Sequence, residues 1–267
     1  MDYVMKNVAL IIVILGFIGI GGCQKGQNSS SEDENEKPKG TIIFVDATAI
    51  RASSKDETVE SDFRKQINKV VDNRLNDYGS WIKVYPIRKQ TEVKFPQMEI
   101  KNNIKPVEGR EYETDKTIAE AKTAREMNSF VRKAKKNIST FLKKVKEISE
   151  ELEGPKSDIF GSVEVIRQEA QQNTRIYYFS DMYQASPESK RFFESTPPSS
   201  QEEALKWANK DAQIVKKTQS ENNVFEDLEV QIFTSASGTR SSSLKVIQYW
   251  RALFKELGVK RNNIEYN

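Results

Sequence analysis

The chain has 267 residues, with 42 basic and 39 acidic side chains for a net charge of +3, no histidine and one cysteine. So mild a charge excess gives no argument for nucleic acid, whose binding domains are markedly basic. The lack of histidine removes the commonest general base and metal ligand, and a single thiol excludes an intrachain disulfide, so stability must come from a packed core.

Residues 1–22 have the three parts of an export signal. Lys6 supplies the positive end, offset by Asp2, and Val8 to Ile20 is an uncharged run of Val, Ala, Leu, Ile, Gly and Phe. Gly21 and Gly22 are the small residues that a processing enzyme requires. The run is shorter than the roughly 20 residues that span a bilayer comfortably. It ends at Cys23, in Ile20-Gly21-Gly22-Cys23. This tetrapeptide resembles the lipobox of bacterial lipoproteins. The resemblance implies diacylglycerol on the Cys23 sulfur, cleavage before it and acylation of the new amino terminus. Two or three acyl chains hold a protein on a membrane stably where one holds it only reversibly. An uncleaved transmembrane helix, or a signal peptide followed by a free thiol, are the alternatives. Under the lipoprotein reading the domain is membrane-anchored on the extracytoplasmic face, with inner or outer membrane left open. Residues 23–40, rich in Gln, Ser, Glu and Lys, cannot bury enough surface to offset their ordering entropy and read as a flexible tether.

Residues 41–267 read as one α/β domain. Thr41 to Val45 is a continuous, β-branched apolar run, the signature of a buried central strand. Phe63, Ile67, Val70, Val71 and Leu75 recur at helical spacing. Trp81 to Ile87 is a second strand, and Val93 to Phe95 a candidate edge strand in a Pro-interrupted stretch. Residues 115–152 carry one apolar stripe from Met127 to Leu152, predicting a single long helix stopped by Gly154-Pro155. A helix begins near Ser157, and Ile176 to Ser180 is a third strand. A helical insertion is expected at about 187–220, its helix opened by Ser199 and Ser200 with Glu202 and Glu203 in a capping pattern. Leu228 to Phe233 is a fourth strand, Ser243 to Leu257 a closing helix, and Ile264 to Tyr266 a last short strand. Continuous apolar strands separated by helices predict a doubly wound, mostly parallel sheet with helices on both faces.

In such a sheet, ligands sit beyond the carboxyl ends of the strands, where strand order reverses. The first strand is followed by Asp46-Ala47-Thr48-Ala49-Ile50. The long helix is followed by Lys156-Ser157-Asp158, the third strand by Ser180-Asp181, and the fourth by Ser235, Ser237, Gly238 and Thr239. Hydroxyls and carboxylates recurring on one rim are hard oxygen ligands of the kind that suits Mg²⁺ or Ca²⁺. This arrangement resembles the von Willebrand factor A fold over most of residues 41–267. That family places a metal-ion-dependent adhesion site on its first strand's Asp-x-Ser-x-Ser, a loop Thr and a later Asp. The resemblance implies Asp46, Thr48, Ser157 and Asp181 as metal ligands, with Mg²⁺ the candidate ion. Ile50 stands where the second Ser belongs, and a side chain without a lone pair cannot ligate. Binding of the ion is therefore expected to be weak or absent. On the residues alone, Asp46 and Asp181 equally suit capping of helix amino termini.

Three further features stand out. The long helix is basic at Arg132, Lys133, Lys135, Lys136, Lys143, Lys144 and Lys146, which suits either a solvated face or an acidic surface. Tyr249 and Trp250, at helical spacing, read as core. Gly238-Thr239-Arg240 before a helix is a weak anion-cradle signal. The function expected is that of a non-enzymatic, lipid-anchored module of the cell envelope holding an unidentified protein partner. Two alternatives are a haloacid-dehalogenase-like phosphatase with Asp46 as nucleophile, or a structural part of an envelope assembly. The phosphatase family needs an Asp where this chain has Thr48.

Overall fold

The computed structural model describes residues 39–46, 57–88, 91, 98–106, 113–151, 157–185, 191–193, 195–217, 224–234 and 241–266. All of these lie in one compact unit, Lys37–Asn267. Among them are strands Gly40–Asp46 (β1), Trp81–Ile87 (β2), Met98–Lys101 (β3), Arg175–Phe179 (β4), Glu229–Thr234 (β5) and Arg261–Tyr266 (β6). The helices are Glu57–Arg74 (α1), Glu113–Glu151 (α2), Ile159–Glu169 (α3), Gln201–Lys217 (α4) and Ser241–Leu257 (α5).

The strands form one mixed sheet in the order β3-β2-β1-β4-β5-β6. Five are parallel, and β3 runs antiparallel to β2 at one edge. A parallel return needs a crossover of a dozen or more residues. The ten residues from Arg88 to Gln97 are too few, so the chain doubles back. The expected Val93–Phe95 strand lies outside the described residues; the described edge strand is Met98–Lys101.

Side-chain alternation along the strands divides the core in two, because successive residues point to opposite faces. Ile42 and Phe44 of β1, Ile176 and Tyr178 of β4, and Val230 and Ile232 of β5 join a cluster with Val163 of α3, Ala208 of α4 and Trp250 of α5. Ile43, Val45, Tyr177, Phe179 and Phe233 join a second, with Ile67 of α1 and Ile138 of α2. Each such aliphatic or aromatic side chain contributes about 1.5–3 kcal/mol by leaving water. Tyr249 and Trp250 are fully buried, as their spacing predicts.

The helix α2 has 39 residues and neither Gly nor Pro, so nothing breaks its ladder. It buries Val131, Ala134, Ile138, Leu142 and Val145, spaced three and four apart. The helix α4 lies within the connection from β4 to β5. Its capping box forms as its sequence predicts: Ser199 N–H and Oγ donate to Glu203, whose N–H donates to Ser200 Oγ. At the amino-terminal edge of the sheet, the buried Arg74 guanidinium donates to Thr41 Oγ1 at 3.0 Å and to the Gly40 carbonyl at 2.8 Å. This fastens the end of α1 to the start of β1. Among the described residues no helix is long and apolar enough to cross a membrane.

Candidate functional site

The chain builds outward from β1 in one direction to β2 and β3, then returns to place β4 on the other side of β1. Strand order therefore reverses between β1 and β4, the place where an open α/β sheet leaves a crevice. The parallel register sets Val45 beside Phe179, which brings Asp46 level with Ser180 and places Asp181 one residue beyond. The two carboxylates foreseen from sequence thus follow adjacent, parallel strands.

Asp46 is fully buried, and both its oxygens are engaged. Ser157 Oγ donates to Oδ1 at 3.0 Å, and Ser180 Oγ donates to Oδ2 at 2.9 Å. Hydrogen bonds to an ionised group are about twice as strong as neutral ones, which offsets part of the cost of burying the charge. Ser180 Oγ also accepts from Met182 N–H at 2.9 Å, and its own N–H continues the ladder to the Phe233 carbonyl.

Ser157 is placed by backbone bonds on both sides. Its carbonyl accepts from Ala185 N–H, and the next amide, Asp158 N–H, donates to the Arg88 carbonyl at the end of β2. Asp158 then caps α3: Oδ1 accepts from Gly161 N–H at 3.0 Å and from Gln184 Nε2 at 3.2 Å, and Oδ2 from Thr91 N–H at 3.3 Å. Gln184 Oε1 in turn accepts from Phe160 N–H. The first turn of α3 thus satisfies its exposed donors within the chain.

Asp181 is half-buried, and its Oδ1 accepts from Tyr183 N–H at 3.1 Å. This Asx turn encloses Met182, which has a left-handed backbone (φ 62°) that a non-glycine residue adopts at a cost. Trp250 Nε1 donates to the Met182 carbonyl at 2.8 Å and holds that conformation from the core side.

The structure therefore brings Asp46, Ser157 and Ser180 into direct contact and sets Asp181 on the same rim. Thr48, Ile50, Cys23 and the Gly238-Thr239-Arg240 stretch lie outside the described residues. Asp46 is held by side-chain hydroxyls; Asp158 is the carboxylate that caps a helix. Ser180 was readable only as the neighbour of Asp181, and nothing local marked Gln184 or Thr91 as companions of Asp158.

A hydroxyl that donates to a carboxylate keeps lone pairs for an ion. Ser157 Oγ, the Asp181 carboxylate and Asp46 are oxygen donors of the type that a hard cation takes, and each is already engaged within the chain. Ser180 Oγ has one lone pair taken by Met182 N–H. Mg²⁺ demands about six oxygens in octahedral array, so water would complete most of its shell. Among the described residues no three or more His, Cys, Asp or Glu side chains gather as a metal cluster. The fit to Mg²⁺ is partial.

Behind the rim, the chain that follows β4 is fastened to α4 and α5. Arg191 Nε and Nη2 donate to Asp211 at 2.7 and 3.0 Å, and Tyr249 Oη donates to Asp211 Oδ2 at 2.8 Å. The guanidinium stacks 4.5 Å above the Trp207 ring. Burial, with the Asp211 carboxylate beside it, pushes the Tyr249 phenol far up.

No family model matches the chain, and no curated protein matches it. Among solved structures it is similar to proximal thread matrix protein 1 of the mussel byssus, at 12% identity and a TM-score of 0.39. The match covers 83% of this chain and 45% of that one, so this chain spans about half of that protein.

Proposed function

We propose that this is a lipid-anchored cell-envelope protein whose doubly wound, von Willebrand factor A-like domain binds a protein partner without catalysing a reaction. Cys23 carries the lipid, which places the domain on the extracytoplasmic face of a membrane. The partner meets the rim formed by Asp46, Ser157, Ser180 and Asp181, with weak or no dependence on Mg²⁺. The observation that supports this reading is the buried Asp46 carboxylate gripped by Ser157 and Ser180 beside Asp181, at the point where strand order reverses. The rim's carboxylates and hydroxyls are already tied to each other and to backbone amides, which suits a preformed recognition surface more than a site that an ion must assemble.

Calorimetric titration of the protein with Mg²⁺ and with Ca²⁺ tests the metal part. The expected result is no resolvable heat below about 1 mM, the weak limit of extracellular cation modules. Tight binding that disappears in Asp46→Ala would overturn it. Metabolic labelling with palmitate tests the anchor: label is expected on the wild type and absent from Cys23→Ala. Label on neither would sink the lipoprotein reading.

A further inference from the structure

The helix α2 turns one side to the core and presents the opposite side to solvent. On that side Arg125, Arg132, Lys133, Lys136, Lys143 and Lys144 are all exposed. At 3.6 residues per turn they fall within about 120° of the circumference, centred opposite Val131, Ile138 and Leu142, and extend about 29 Å along the axis. Two exposed carboxylates share this side, Glu126 beside Arg125 and Glu147 just after Lys144; between Met127 and Lys146 the sequence has no Asp or Glu. One further lysine of the run, Lys135, turns aside to pair with Asp72 of α1 at 2.6 Å. The six on the ridge make no salt bridge with described residues. The five cations from Arg132 to Lys144 thus form a run of one sign on this side of α2, with Glu126 and Glu147 at its two ends.

The ridge has charge without apolar anchors. Among the described residues the exposed large hydrophobic residues are Tyr78, Ile118, Leu205 and Leu244; Ile118 alone shares the ridge's side of α2, about 10 Å before Arg125, and none lies among the six cations. Tight protein interfaces are centred on buried aromatic, apolar or Arg anchors set in pockets. A row of Lys and Arg with no aromatic or apolar side chain among them and no pocket beneath matches instead a flat anionic surface, where each such residue is worth about as much as the next.

We propose that the solvent face of α2 is a docking surface for anionic phospholipid head groups, which lays the domain along the membrane. This rests on the envelope reading above. It adds a second, electrostatic contact to the lipid at Cys23, and it fixes which side of the domain faces the bilayer. The ridge lies on α2, which packs on the β1 face opposite to α4 and α5.

The test uses the chain from Gln24 to Asn267, which lacks the lipid but keeps all the described strands and core residues. It is mixed with vesicles of phosphatidylcholine alone, or of phosphatidylcholine with phosphatidylglycerol, and pelleted. Binding is expected to the mixed vesicles only, with release at 1 M salt, where the screening length falls to about 3 Å. Arg132→Gln/Lys133→Gln/Lys143→Gln/Lys144→Gln should lower partitioning by roughly fivefold per charge, several hundredfold together. Lys206→Gln/Lys210→Gln/Lys216→Gln/Lys255→Gln removes the same net charge from exposed positions of α4 and α5 and should leave most of the binding. The proposal is overturned by equal binding to neutral vesicles, by no binding to anionic ones, or by equal loss in both variants. Binding to an acidic polypeptide with none to vesicles overturns it as well. Failure of lipid attachment is read separately, from the palmitate label, and does not touch this result. All substituted positions are exposed, and unchanged circular dichroism and urea midpoints show that each variant has folded.

Discussion

Tyr249→Phe removes one hydroxyl from a fully buried ring and leaves its packing against Phe193, Phe160 and Trp250 in place. The lost contact is the 2.8 Å bond to Asp211, whose carboxylate keeps its two-pronged bond from Arg191. A hydrogen bond to a charged group is worth about 1.5–3 kcal/mol, so the variant should be about 2 kcal/mol less stable at pH 7. The difference must then shrink in alkali. Burial, and next the Asp211 carboxylate, raise the Tyr249 phenol above the ordinary value of 10.0 in the folded protein. The unfolded chain therefore loses this proton first as pH rises. The stability that the phenol contributes is complete below pH 10 and falls above it, by about 1.4 kcal/mol per pH unit. At pH 11 the gap between wild type and Tyr249→Phe should be about 0.6 kcal/mol by this arithmetic, and it should close about half a unit higher. Tyr178, whose phenol burial also raises, titrates alike in both proteins and cancels in the difference. Urea unfolding at pH 7, 10 and 11, compared at constant slope, measures the gap. A gap that stays constant or widens between pH 10 and 11 would refute the assignment of Tyr249 as the donor to Asp211.

Two more predictions concern the rim itself. Ser180→Ala removes a donor to Asp46 and the acceptor of Met182 N–H together, and should lower the urea midpoint by the equivalent of about 2–4 kcal/mol; a loss below about 0.5 kcal/mol would place the Asp46 charge elsewhere. Gly161→Ala should destabilise, although Gly to Ala inside a helix ordinarily gains about 1 kcal/mol. The added Cβ would meet the Thr91 carbonyl and the Asp158 carboxylate, and displacing that cap costs about 1–2 kcal/mol. A rise in thermal midpoint for this variant would show that the contact between the start of α3 and residue 91 is loose.

The buried centre of the sheet was legible because burial on both faces forces a continuous apolar sequence. Thr41 to Val45 and Ile176 to Phe179 announce themselves in this way, and both are covered on each side. The edge was not legible for the converse reason. Met98–Lys101 alternates half-buried and exposed residues over four positions, too short a run for a period to assert itself. Its direction follows from the short connection to β2, and length alone reveals that only once β3 is located. The site was legible by residue type and not by partnership. Asp46 and Ser157 are 111 residues apart, and Asp46 and Ser180 are 134 apart. The sequence places each after a strand or before a helix. Which hydroxyl reaches which oxygen depends on the register of β1 with β4 and on the route of residues 157 and 158 between β2 and the segment after β4. Arg191 and Asp211 carry even less signal, being two charged residues in stretches that read as polar.

The rim's stiffness follows from where its bonds originate. Asp46 is fixed by β1, Ser180 by the β4–β5 ladder, and Ser157 by hydrogen bonds from Ala185 N–H to its carbonyl and from the next amide, Asp158 N–H, to the Arg88 carbonyl. Asp158 joins residue 91, the first turn of α3 and Gln184 into one network. Each hydroxyl facing Asp46 is thus oriented by secondary structure and by backbone hydrogen bonds. Removing an ion from a site built this way would change its charge and leave its shape. A partner that reads the shape of such a rim has no need of the ion, and one that offers a carboxylate to it does. The same rim therefore admits metal-independent recognition even though its residue types are those of an ion site, and the calorimetric titration separates the two cases.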